Sequence, residues 1–195
     1  AWCDPPRLLH VGTNGTNIVF VHPIARVKTL EELGQGTPRR LESEFDYDDY
    51  GNRVREADYG VVENGDRGAF DDERVIATEY ALNTNAWILR LPSRQETRDE
   101  VGTVVSRAEC YYDDETFSTN GFGSVGVGNL TMKREWIDPA SPPAFVTSAR
   151  TKYDAYGNPV VLLDPLGAAP GGAVDLTRGH ARQLEYESRF HTYAV

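Results

Sequence analysis

The 195-residue chain is poor in basic runs, cysteine, long apolar stretches and helical periodicity. Its only adjacent basic pairs are Arg39-Arg40 and Lys133-Arg134, while 30 acidic against 20 basic residues give a net charge of -10. An acidic surface repels phosphate backbones, which argues against a nucleic-acid partner. Two cysteines, Cys3 and Cys110, are too few for a disulfide framework and leave open one bridge or two free thiols. No run reaches the roughly 20 apolar residues of a spanning helix, so direct membrane insertion is not expected. A signal-peptide pattern is also missing. The chain begins at Ala1 and stops at Val195 inside strand-like sequence, which reads as a segment of a larger protein.

What is present is repetition. Five alternating runs end on a tyrosine. They are Ser43, Phe45, Tyr47; Ile76, Thr78, Tyr80; Ala108, Cys110, Tyr112; Ala149, Thr151, Tyr153; and Arg182, Leu184, Tyr186. Polar residues such as Glu44, Asp46, Glu79, Glu109, Lys152 and Glu185 interleave them. Period two predicts half-buried strands with the tyrosine face inward and the polar face in water. Asp48-Asp49-Tyr50-Gly51-Asn52 and Asp154-Ala155-Tyr156-Gly157-Asn158 predict tight turns, because Gly and Asn tolerate positive φ and Asp bonds its own backbone. Second strands are expected at Arg53–Glu56 and Val160–Leu163. They should end on the turn sequences Asp58-Tyr59-Gly60 and Asp164-Pro165-Leu166-Gly167. The run at Tyr112-Asp113 reads as the same hairpin with a long glycine-rich loop before Leu130–Ile137. The run at Tyr80 lacks the turn and is followed by a strand Ala86–Leu89. An N-terminal hairpin is expected from Leu8–Val11 and Ile18–Val21. A short helical turn is expected at Thr29–Gly34, and loops at Pro38, Pro92, Pro139–Pro143 and Pro170–Gly172. The chain divides into an N-terminal hairpin and connector, 1–39, and a repeat region, 40–195.

The chemical motifs are weak. The acidic clusters at Asp46–Asp49, Asp71–Glu73 and Asp113–Glu115 lack the spacing of a calcium loop, so turn capping and solvation are favoured over metal. Gly121–Gly126 matches G-x-G-x-x-G, but strand-like sequence follows where a helix would have to hold a pyrophosphate. His10, His22, His180 and His191 fall in no zinc or protease pattern, and there is no nucleophile elbow. No metal or other cofactor is expected. Asn14 and Asn129 begin N-x-T sequences, relevant only to a glycosylating host.

The pair Tyr47-Asp48-x-x-Gly51-Asn52 with Asp58-x-Gly60, and Tyr153-Asp154-x-x-Gly157-Asn158 with Asp164-Pro165-x-Gly167, resembles the YD repeat of the RHS family. The wider pattern is similar to the B component of bacterial Tc insecticidal toxin complexes over roughly residues 40–195. The resemblance implies consecutive antiparallel β-hairpins forming a strip of a larger β-sheet shell. That shell would be part of a secreted or cell-surface bacterial protein and would enclose a toxic C-terminal polypeptide. The implied partners are the rest of the shell and that polypeptide, and the implied role is non-catalytic. Tyr47, Tyr80, Tyr112, Tyr153 and Tyr186 would anchor the hairpins. Asp48, Gly51, Asn52, Asp58, Gly60, Asp113, Asp154, Gly157, Asn158, Asp164 and Gly167 would shape their ends. The self-cleaving end of the RHS core has no counterpart downstream of Asp164, so protease activity is not implied. The rival readings are an adhesion or glycan-binding module, with Trp2, Trp87 and Trp136 as candidate platforms, and a hydrolase.

Overall fold

A computed structural model of the protein describes residues 2–3, 7–11, 17–31, 38–138, 144–167 and 180–195. Among these the fold is all-β: β1 Trp2–Cys3, β2 Arg7–Val11, β3 Asn17–Phe20, β4 Pro23–Leu30, β5 Arg39–Tyr47, β6 Arg53–Val62 and β7 Arg74–Asn83 come first. They are followed by β8 Ile88–Arg98, β9 Val104–Tyr112, β10 Leu130–Asp138, β11 Ala144–Tyr153, β12 Pro159–Leu163 and β13 Ala181–Gln183. From β4 onward each strand lies beside its neighbour in the chain, in the order β1-β4-β5-β6-β7-β8-β9-β10-β11-β12-β13, while β2 and β3 form a separate ribbon. The registered pairs are antiparallel, as consecutive hairpins require.

The chain forms two compact units, one of residues 1–79 with 95–106 and one of 80–94 with 107–195. In the first, Ser43 and Phe45 of β5 are buried and Asp46 is exposed, but the expected period of two is incomplete: Glu42 beside Ser43 is buried as well, and Glu44 and Tyr47 are half-buried. Its packing relies on cations over rings: Arg53 stands 4.6 Å from the Phe45 centroid and Arg67 stands 4.1 Å from that of Tyr59. Arg67 also bonds Glu42 and Glu44 at 3.0 and 2.6 Å. In the second unit Tyr111, Phe117, Met132 and Leu163 form the core, with Phe122, Val161 and Ala181 against it.

Several sequence-based expectations need correction. Asp58-Tyr59-Gly60 does not end a strand, because β6 continues to Val62. Between the pairs Leu41↔Val61 and Ser43↔Asp58, β6 carries one more residue than β5, and Gly60 sits there at φ 57°. The turn-like sequence is a bulge. Ala86 and Trp87 belong to the β7–β8 turn, where the Asn83 side chain accepts the Ala86 N–H at 3.0 Å and Trp87 takes φ 56°. Thr29 and Leu30 are strand, paired with Arg40 and Arg39, and Glu31 follows the strand as irregular chain; residues 32–34 of the expected helical turn lie outside the described residues. Pro92 lies within β8. The loops at Pro139–Pro143 and Pro170–Gly172, the first hairpin's loop with Asn14, and the side chains of Trp2, Cys3 and His10 also lie outside what is described.

The largest correction concerns the inward face of the second unit. Glu109, expected in water, is 8% exposed, whereas Ala149, expected inside, is exposed. The register Tyr111↔Met132↔Arg150↔Leu163↔Ala181 puts the core on the face opposite Cys110, Lys133 and Ala149. The cause is the loop after β9, whose Phe117 and Phe122 fold onto that face.

A Cβ on Gly60 would run into the Asp72 carboxylate, which accepts the Val61 N–H at 3.0 Å, and would force a side-chain residue into the left-handed region. Gly60→Ala is therefore expected to lower the unfolding free energy by about 1–2 kcal/mol. Urea denaturation measures it, and an unchanged midpoint would contradict the bulge.

Candidate functional site: the aspartate-closed hairpins

The repeated motif residues converge on one device. In the β5–β6 turn, Asp48 Oδ1 accepts the N–H groups of Tyr50 and Asn52 at 2.9 and 2.8 Å, and Oδ2 accepts Asn52 Nδ2 at 2.8 Å. The Asp48 N–H donates to the Asn52 carbonyl at 2.9 Å, and Gly51 takes φ 80°. The β11–β12 turn repeats this. Asp154 Oδ1 accepts from Tyr156 and Asn158 at 2.9 Å each, Oδ2 accepts Asn158 Nδ2 at 3.1 Å, and Gly157 takes φ 84°. The Asn158 amide also donates to the His191 carbonyl at 2.7 Å. A carboxylate thus satisfies N–H groups that a sharp turn would leave unpaired.

A third copy, unrecognised in the sequence, closes β8–β9. Asp99 accepts the Thr103 N–H at 2.7 Å, its own N–H donates to the Thr103 carbonyl at 3.0 Å, and Gly102 takes φ 84°. The spacing D-x-x-G was the available signal, masked because threonine replaces asparagine and no tyrosine precedes it.

The long loop between β9 and β10 is the same device enlarged. Asp113 N–H donates to the Asn129 carbonyl at 2.8 Å, Asp113 Oδ1 accepts the Asn129 N–H at 2.8 Å, and Gly128 takes φ 102°. Residues 114–127 are inserted between the aspartate and its Gly-Asn. The same carboxylate also accepts N–H groups from Gly126, Val127 and Gly128 at 2.7, 3.0 and 3.0 Å. Burial pushes the Asp113 carboxyl up, but these backbone bonds outweigh it and hold it below the ordinary carboxylate range. The loop is tied on both flanks: Asn83 Nδ2 donates to the Val125 carbonyl at 2.9 Å, and the Tyr153 N–H donates to Glu115 at 2.8 Å.

The tyrosines form a second series. The hydroxyls of Tyr112, Tyr153 and Tyr186 donate to the carbonyls of Pro92, Leu130 and Pro159 at 2.8, 2.9 and 3.3 Å; Pro92 and Leu130 lie on the strand before their tyrosine's own, and Pro159 lies on β12, while Tyr186 follows β13. Tyr47 instead packs its ring 4.0 Å from that of buried His22, and Tyr80 is half-buried in β7. Asp58 pairs with Arg74 beside the Gly60 bulge. Asp164 caps the Leu166 N–H at 2.8 Å and meets His180 Nδ1 at 2.8 Å, while the Gly167 N–H closes the turn onto the Asp164 carbonyl at 3.0 Å.

These carboxylates are engaged with backbone and turn partners. Among the described residues no three of His, Cys, Asp and Glu converge as a metal site. His22, His180 and His191 lie against Tyr47, Asp164 and Tyr156 respectively. The Gly121–Gly126 loop leads into β10 and not into a helix. Cys110 is a free thiol whose pKa burial raises. The arrangement fixes hairpin ends and strand register.

Two outcomes follow. Asp113→Ala is expected to lower stability by about 1–2 kcal/mol at pH 7, the lower end for bonds to a charged group because the side chain is exposed. A depressed carboxyl stabilises the fold above its unfolded value and loses that contribution as pH falls through the folded one. The gap between variant and wild type should therefore shrink below about pH 4; denaturation midpoints at pH 7 and pH 3 measure it. Tyr153→Phe should cost about 1 kcal/mol and Tyr153→Ala about 3 kcal/mol in the same assay. A Tyr153→Ala protein as stable as wild type would remove the anchoring role. No protein-family model matches the chain, and no curated protein matches it.

Proposed function

We propose that this chain is a non-catalytic wall segment of a YD-repeat shell of the RHS type. It would be part of a secreted or surface-displayed bacterial toxin protein whose remaining strands continue the wall around an enclosed polypeptide. The observation that carries this reading is the hairpin end: four hairpins are closed by an aspartate and a following Gly-Asn or Gly-Thr. They occur in a sheet whose strands, from β4 onward, pair with their chain neighbours. A sheet built this way grows by adding hairpins, and its stability resides in contacts between neighbours, as in repeat proteins.

The adhesion reading draws on Trp87, which is 78% exposed at the β7–β8 turn. It draws less on Trp136, which is half-buried with Arg107 5.3 Å from its ring centroid. Of the two tryptophans whose side chains are described, only Trp87 is exposed, and one exposed indole is a poor glycan platform, so the wall is favoured.

Electron cryomicroscopy of the natural full-length protein tests the proposal. A hollow particle with these strands continuous with further hairpins is the expected result. A solid domain in which this sheet stands alone would overturn it. Loss of glycan-array binding on Trp87→Ala would transfer support to adhesion.

A further inference from the structure

Asparagine followed by glycine occurs at Asn14-Gly15, Asn64-Gly65 and Asn120-Gly121. The pair is chemically labile, because a glycine nitrogen with no Cβ beside it can attack the side-chain carbonyl of the preceding asparagine. Asn14 lies outside the described residues. Asn64 and Asn120 are both exposed, and the fold treats them differently. Asn64-Gly65 is the tip of a two-residue turn, with φ 51° at Asn64 and 85° at Gly65, as a type I′ hairpin turn requires. Its flanks exchange both backbone bonds: the Glu63 N–H donates to the Asp66 carbonyl at 3.1 Å, and the Asp66 N–H donates to the Glu63 carbonyl at 2.8 Å. For the Gly65 nitrogen to reach Asn64 Cγ, the chain must rotate about the Asn64 Cα–C bond. In so short a tip that rotation pulls Asp66 away from Glu63 and breaks the closing pair.

Asn120-Gly121 sits inside the long loop between β9 and β10, and neither residue is in the left-handed region. The Asn120 N–H donates to Ser118 Oγ at 3.1 Å, and the Gly121 carbonyl accepts the Ser124 N–H at 3.0 Å. Neither bond uses a reacting group: among the described residues the Asn120 carboxamide and the Gly121 N–H have no hydrogen-bond partner. The next residue, Phe122, packs edge-on against Tyr111 with ring centroids 5.5 Å apart, and the Arg94 guanidinium stands 4.8 Å from its centroid. The labile pair therefore adjoins a ring that covers the core of the second unit.

We propose that Asn120-Gly121 is a self-modification site of the folded protein, while Asn64-Gly65 is held unreactive by its turn. The Gly121 nitrogen bonds to Asn120 Cγ and gives up its proton, and the carboxamide nitrogen leaves as ammonia. Water then opens the resulting succinimide at either carbonyl, returning a proton to the Gly121 nitrogen. The product is aspartate, or isoaspartate in which the main chain runs through the former side chain. Both add a negative charge. Isoaspartate also inserts a methylene into the backbone ahead of Phe122, which shifts that ring and loosens the cover over Tyr111. The inference stands on the two turns alone and does not require the shell.

The test incubates the complete 195-residue chain in mildly alkaline buffer, folded and in urea, and follows Asn64 and Asn120 by tryptic peptide mapping with mass spectrometry. In the folded chain Asn120 is expected to convert at least about fivefold faster than Asn64, the ratio set by having to open a closed pair of backbone bonds. In urea the two rates should converge. Equal rates in the folded chain, or a difference that survives in urea, overturn the proposal. Gly121→Ala places a Cβ that meets no atom within 4 Å, so it should leave the denaturation midpoint unchanged while slowing conversion at Asn120. Conversion of that variant at the wild-type rate overturns the ring-closing route. If the variant fails to fold, the folded and urea rates of the wild type decide. Converted chains, separable by anion exchange on their added charge, should unfold at lower urea concentration than unconverted ones. Identical midpoints remove the link to Phe122.

Discussion

Four hairpin ends of this sheet depend on a carboxylate accepting backbone N–H groups. Asp48, Asp99, Asp113 and Asp154 each fix the N–H of the last loop residue while their own N–H closes the pair in return. That reciprocal contact sets which residue of one strand opposes which residue of the next. In a sheet with side chains alternating by face, a slip of one residue would turn every apolar group outward. The glycine before each closing residue has positive φ, from 80° to 102°, so the loop can return within that space.

The tyrosine hydroxyls add a second constraint of the same kind. Those of Tyr112, Tyr153 and Tyr186 reach back to a carbonyl on an earlier strand of the chain, and two of the three acceptors are prolines. A proline has no N–H to give the ladder, but its carbonyl remains available. The side chain thus contributes a cross-strand bond near a point where the backbone has lost a donor. Aspartate fixes the hairpin end, and tyrosine fixes that end to its neighbour.

Much of this was legible in the sequence because it is local. Period two in Ser43, Phe45 and Tyr47 identified a strand, and D-x-x-G-N at Asp48 and Asp154 identified the turns. Asp99 escaped notice because Thr103 stands where the other short copies have asparagine. Gly60 misled because a positive-φ glycine serves a bulge as readily as a turn, and only the register of the opposing strand separates the two. The buried face of the second unit was not legible. Glu109 and Lys152 read as solvent-facing by alternation. What covers that face is Phe117 and Phe122, delivered by a loop whose path depends on Asp113 reaching Gly128 and Asn129 across residues 114–127.

The enlarged loop shows that the closing contact is indifferent to what lies inside it. The same aspartate and Gly-Asn pair bracket two residues at Asp48 and residues 114–127 at Asp113, with N–H to carboxylate distances of 2.8 Å at the closing asparagine in both. Each doubling of a flexible loop adds only about 0.6 kcal/mol of closure entropy. New sequence can therefore enter between aspartate and glycine without shifting the register of the strands on either side. The hairpin end is a socket that accepts inserts of different length, and its occupant can acquire its own packing, as residues 114–127 have, while the sheet stays as it was.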